Sequence, residues 1–174
     1  MQKDMFVIWA KYNKAANEKM DSVISTLSPQ EWEKPLGGYF GSIRALCSHL
    51  YTSDFNWLKR FSEVRDFAVF KDTIFDRKPF DNFKEILFKD MGEYLASRPV
   101  MDDKITAFAD EIKDSDLDFP IKYTDAIRGI EYEQKFGGLF MHSLNHDTHH
   151  RGTISFCLEL LGRENDYSSL RLIL

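Results

Sequence analysis

Apolar residues recur every three or four positions from Met5 to Leu27 (Met5, Ile8, Trp9, Tyr12, Ala15, Ala16, Met20, Val23, Ile24, Leu27). That is the repeat of one helix face, so this stretch is predicted to form the first long helix. Ser28-Pro29-Gln30-Glu31 follows, with a capping serine, proline at the first helical position and glutamate three residues on. This signature starts a short helix that ends by Pro35, with a turn at Gly37 and Gly38 beyond it. Ser42 can cap a second long helix, whose apolar face carries Ile43, Leu46, Cys47, Leu50, Trp57, Leu58 and Phe61. His49 and Asp54 lie on the same helix.

Beyond a polar connection ending near Pro79, helical spacing returns from Asp81 to Ala96, with Phe83, Ile86, Leu87, Met91 and Leu95 expected inward. Pro99 is predicted to break or kink this helix, and Asp102 to Ile112 resumes the periodicity. Phe119 to Thr124 and Ile130 to Phe136 alternate apolar and polar residues across a turn containing Gly129, the pattern of a small hairpin. After Gly137 and Gly138 a last long helix runs to near Gly162. Four long helices and one hairpin before the last of them predict an all-α fold, a four-helix bundle occupying residues 1–174 as one domain. No internal repeat, low-complexity tract, Walker loop or GxGxxG motif interrupts this organisation.

Composition narrows the function classes. At 174 residues with 43% hydrophobic content, including 15 phenylalanines, the chain can bury a substantial core. A formal charge of −5 and the absence of any basic segment argue against a nucleic-acid partner. Cys47 and Cys157 lie inside apolar patterns without CxxC spacing, which reads as two buried thiols in a reducing cytoplasm. Charges every few residues near the N-terminus leave no continuous apolar run for a signal peptide or membrane span. The expectation is a cytoplasmic protein with no membrane partner.

The chemistry is concentrated in Met141 to Ile154, MHSLNHDTHHRGTI, which holds four of the five histidines; only His49 lies elsewhere. On a helical wheel with Leu139 at zero, Cys157 returns to about 0°, Leu161 to about 40° and Ile154 to about 60°, which defines the apolar face. His146 and His150 fall about 20° either side of zero, while His142 and His149 lie roughly 60 to 80° to one side. The inward pair is therefore His146 and His150, one turn apart, a spacing at which two imidazoles can grip one metal ion. Burying two imidazoles requires a compensating partner, and a divalent metal is one. A third ligand must come from another helix, and His49 and Asp54 are the candidates. With His49 at zero, the apolar stripe of the second helix centres near roughly 100 to 120° and Asp54 falls at about 140°, so periodicity favours Asp54.

Three stretches, FVIWAKYNKAANEKM, GYFGSIRALCSHLYTSDFNWLKRF and HSLNHDTHHRGTISFCLELLGRENDY, together resemble the DinB family, whose wider superfamily includes the YfiT-like proteins. The resemblance spans essentially the whole chain. It implies a bundle, often dimeric, that holds a divalent metal through one histidine on the second helix and an HxxxH pair on the last. By position these fall on His49, His146 and His150. Where the family usually has glutamine after HHRG, this chain has Thr153.

The resemblance also implies a function. Characterised relatives are metal-dependent thiol transferases and isomerases, which makes an S-transferase that activates a low-molecular-weight thiol toward an electrophile the leading expectation. Metal-dependent hydrolysis and a non-catalytic, stress-related metal-binding or interaction bundle are the alternatives. Nitrogen ligands suit zinc or nickel first, and iron or copper also. Asp54, His142, His149 and Arg151 are expected around the metal or substrate, with Asp54 the reserve ligand and Arg151 a rim residue able to hold an anion.

Overall fold

The computed structural model of the chain describes residues 2–125 and 128–173. Four long helices, α1 (Lys3–Ile24), α3 (Ile43–Phe61), α4 (Met91–Glu111) and α5 (Phe136–Leu160), form the bundle, with a one-turn helix α2 (Pro29–Glu33) after the first. Strands β1 (Pro120–Thr124) and β2 (Glu131–Lys135) pair antiparallel just before α5, with Tyr123 opposite Tyr132. α1 packs chiefly against α4 and α5, and α3 against the same two helices. Among the described residues no helix is long and apolar enough to cross a membrane.

Local signals set most boundaries. Ser28 accepts from the Glu31 backbone N–H at 3.2 Å, and the Glu31 carboxylate accepts from the Ser28 N–H at 2.8 Å, closing the capping box. Ser42 caps α3 through the Ala45 N–H. Past α5, Gly162 takes a φ of +75° and the Arg163 N–H bonds the Leu158 carbonyl, a left-handed stop that glycine adopts without strain. The hairpin forms close to where alternation places it, although Ala126 and Ile127 of its turn lie outside the described residues. Gly137 and Gly138 belong to α5 itself. At Gly137 the helix needs the missing side chain, because a Cβ there would sit 3.2 Å from both the carbonyl oxygen and the Cβ of Leu117.

At one end the core is a phenylalanine cluster. Phe6 stacks on Phe140 at 5.3 Å between ring centroids, and Phe61 on Phe108 at 5.8 Å. These rings belong to all four long helices. Truncating Phe108, which is fully buried, would cost about 3 to 5 kcal/mol through lost transfer energy and the cavity left behind.

The helix expected at Asp81 begins ten residues later, at Met91, and Pro99 does not end it. Residues 81–90 stay non-helical because α3 side chains occupy their backbone. The Ser48 hydroxyl accepts from the Leu87 N–H, and the Arg44 guanidinium donates to the carbonyls of Phe88 and Lys89. Ile86, expected inward, is 45% exposed. Asp90 then caps α4 by accepting from the Glu93 N–H. Pro99 lies on the exposed side of α4, and the buried stripe Tyr94, Arg98, Met101, Asp102, Ile105, Phe108 passes it without a register change.

Candidate metal centre

α5 aims His146 and His150 inward from consecutive turns, with ring centroids 4.3 Å apart. Across from them α3 presents His49, whose ring lies 5.0 Å from His146 and 4.7 Å from His150. One nitrogen from each ring can be chosen so that all three lie within 4.8 Å of one another. His49 and His150 are buried, and the His146 side chain is 19% exposed.

His49 reaches this point although the apolar stripe of α3 does not include it, because its flank is covered by the segment 81–90 through that segment's backbone. Its Nδ1–H donates to the Phe83 carbonyl at 2.9 Å, which fixes the tautomer and leaves Nε2 with a free lone pair. Phe40 stacks on the ring at 4.3 Å and holds its plane. The Nε2 atoms of His49 and His146 are 3.1 Å apart, so without a cation the shared proton must belong to His146. His146 Nδ1 is then a bare acceptor, buried with no partner, and Asp147 Oδ1, 4.0 Å away, is likewise buried and unpartnered. His150 Nδ1 is a third such atom.

These residues fit a divalent cation. Binding through both Nε2 atoms leaves the His146 proton on Nδ1, so two orphaned acceptors become a donor and a nearby acceptor. Burial and the neighbouring rings keep the histidines neutral, the form a metal requires. Burial first, then the His146 charge, lowers His49 to about 4; burial, then His146 and His49, lowers His150 to about 3. His146 is also lowered by burial, against a smaller opposing pull from Asp54.

Asp54, the reserve ligand, is not in the histidine group. It points deeper into the bundle, where its carboxylate accepts from Arg98 Nη1 at 2.6 Å. Arg98 also bonds Asp102 at 2.5 Å, and Asp102 accepts from Asn17 at 2.8 Å. The wheel was right that Asp54 faces the core; its partner there is a guanidinium. Arg151 corrects the expectation of a rim residue. It is 2% exposed and donates to Asn13 at 2.6 Å and Asn17 at 3.3 Å on α1, so its charge is spent inside the bundle. His149 is exposed beside His150, with ring centroids 4.9 Å apart. His142 sits edge-on to Trp57 at 5.4 Å.

A cavity of about 990 Å³ opens between the histidines and the hairpin. His49, His142, His146 and His150 line it, and so do Tyr39, Phe40 and Phe83 near the histidines and Trp57, Arg60, Tyr123 and Tyr132 toward the hairpin. Sequence reasoning missed Phe83, whose contribution is a carbonyl and leaves no trace in side-chain pattern. It also missed Arg60, which could have been found: eleven residues after His49 is about 1100°, a return to within about 20° of the same face.

The family model described as DinB family matches residues 1–170. Among curated proteins, Protein DinB of Bacillus subtilis (strain 168) is 24% identical over 154 residues, which covers 87% of this chain and 83% of the relative.

Proposed function

The chain belongs to the DinB family, and from that premise we propose that His49, His146 and His150 hold a divalent metal ion at which a low-molecular-weight thiol is transferred to an electrophile. The observation that carries the reading is the convergence of three neutral imidazoles at the base of a large cavity, one of them locked by the Phe83 carbonyl with a lone pair facing the other two. Three nitrogen donors leave coordination positions open, as catalytic sites do and closed structural sites do not. A divalent ion bound there supplies a Lewis acid that lowers the pKa of a thiol. The chain's own residues do the rest. His49, fixed by Phe83 and Phe40, sets the position of the site, and the aromatic walls of the cavity exclude water from a bound ligand.

The test has two stages. Tag-free protein analysed for bound metal should carry about one equivalent, and His146→Ala should carry almost none; equal metal content in both would refute the site. The loaded protein is then incubated with a panel of small thiols and a chromogenic electrophile. Consumption faster than in the metal-stripped protein supports transfer. Metal binding without any acceleration would reject the transferase and leave a metal-binding bundle.

A further inference from the structure

We propose that Arg60 is the anion-binding residue of this cavity, and that the ligand carries a carboxylate which Arg60 receives while its other end reaches the three histidines. This rests on the reading of the histidines as the reactive end, but the arginine site stands on its own observations. Three cationic side chains besides the histidines line the cavity: Arg60, Arg128 and Lys135. Arg128 pairs with Asp125 at 3.3 Å and Lys135 with Asp118 at 2.6 Å. Arg60 alone of these has no carboxylate partner and no hydrogen-bond acceptor among the described residues; the acidic groups that act on it are Tyr123, whose ring it contacts, and then the exposed Glu63, one turn on.

Its contacts are instead with ring faces. The guanidinium carbon lies 4.6 Å from the centroid of Trp57 and 4.8 Å from that of Tyr123. Those rings stand on different elements, α3 and β1, so the hairpin and the bundle together fix where the guanidinium sits. The side chain is half-buried. Its nitrogens stay open to the cavity with no carboxylate against them, so a planar anion able to accept two parallel N–H bonds meets the guanidinium without displacing an internal partner.

Position gives the ligand its shape. Arg60 lies on the same face of α3 as His49, about 16 Å farther along the axis, and helical side chains lean toward the N-terminus, which brings the guanidinium back toward the histidines. Between the two ends the walls are aromatic: Phe40 and Phe83 by His49, Trp57 and Tyr132 nearer the arginine. The ligand is therefore elongated and apolar in its middle, with a carboxylate at one end. That carboxylate belongs either to the thiol or to the electrophile, and the probes below separate the two sources.

The probes are straight-chain ω-mercapto carboxylic acids, the ω-mercapto alcohols of equal length, and simple carboxylic acids with no thiol, titrated into wild-type holoprotein by calorimetry. A mercapto acid long enough to span both ends should bind about tenfold tighter than its alcohol, the size of one charge-assisted pair. That preference should vanish in Arg60→Gln and return in part in Arg60→Lys, which keeps the charge and the ring contact without the planar fork. If the thiol-free acids show the same Arg60 dependence while mercapto acids gain nothing further, the carboxylate comes from the second substrate. An acid-to-alcohol ratio unchanged in Arg60→Gln, with its fold verified by circular dichroism, overturns the proposal. His146→Ala separates the two readings. Failure of the metal site leaves the Arg60-dependent preference for thiol-free acids intact, whereas failure of the arginine site leaves metal binding intact and abolishes only that preference.

Discussion

At the scale of single residues, the unusual property of the histidines is that they are already deprotonated. An ordinary imbalance between proton and metal begins near the free imidazole value of about 6.5 and weakens binding at every lower pH. Here burial, followed by the influence of the neighbouring rings, holds His49 near 4 and His150 near 3 in the folded chain. No proton need be displaced from them at neutral pH. Metal affinity, measured by competition against a chelator corrected for its own titration, should therefore hold to a lower pH than free imidazoles would allow, with neither His49 nor His150 taking up a proton before about pH 5. A steady tenfold loss per pH unit from about 6.5 downward would contradict this. The wheel of α5 already showed which histidines face inward, since His146 and His150 share the stripe of Leu139 and Ile154. It could not place His49, because that residue meets a backbone carbonyl, and side-chain hydropathy carries no record of carbonyls.

Among the elements, α4 was the hardest to read, and the reason lies in what its neighbours do. Phe83, Ile86 and Leu87 imitate a helix face, yet the polar side chains of α3 claim the backbone of that stretch and keep it out of a helix. The true start carried its own signal, Asp90 followed by Glu93, which the spurious periodicity upstream obscured. Around Pro99 the helix is pinned by charge as well as packing. Arg98 is 1% exposed and sits between Asp54 on α3 and Asp102 on its own helix. Replacing it by methionine leaves two buried carboxylates without their cation, which should cost about 3 to 5 kcal/mol in denaturant melts at about pH 8. The loss should shrink near pH 5, because both carboxyls can take up protons there: burial above all raises Asp54 to about 7 and Asp102 to about 6. A cost that is small, or identical at the two pH values, would show that the ion pair does not hold α3 to α4.

For the whole molecule, these groups combine into a pH optimum. The bundle and its hairpin were legible because they follow from periodicity, but the interior polar network was not, since Asn13, Asn17, Arg98 and Arg151 read as ordinary surface positions until four helices bring them together. Two guanidiniums, Arg98 and Arg151, face the carboxyls of Asp54, Asp102 and Asp147, and Asp21 lies beyond them under the Tyr94 hydroxyl. Burial is the leading cause that raises Asp21 to about 7, Asp54 to about 7 and Asp102 to about 6, against 3.8 when unfolded. The folded chain therefore holds more protons on these acids than the unfolded chain does between about pH 4 and 7, and their contribution to stability is lost as pH rises through that window. His49 and His150 act in the opposite sense. Their folded values lie below the unfolded 6.5, so they take stability away as pH falls from about 6.5 toward 4. The two effects oppose each other between about 4 and 6, and above about 6.5 only the acids still titrate. Three raised carboxyls outweigh two lowered histidines in that window, so metal-free protein should melt highest near pH 4 and lose several degrees by about pH 8. Asp54→Asn, which removes one of the raised carboxyls, should flatten that alkaline decline even if it lowers stability throughout. A melting temperature that climbs from pH 6 to pH 8 in both proteins would mean that the buried acids are ionised in the fold, with the two guanidiniums outweighing their burial.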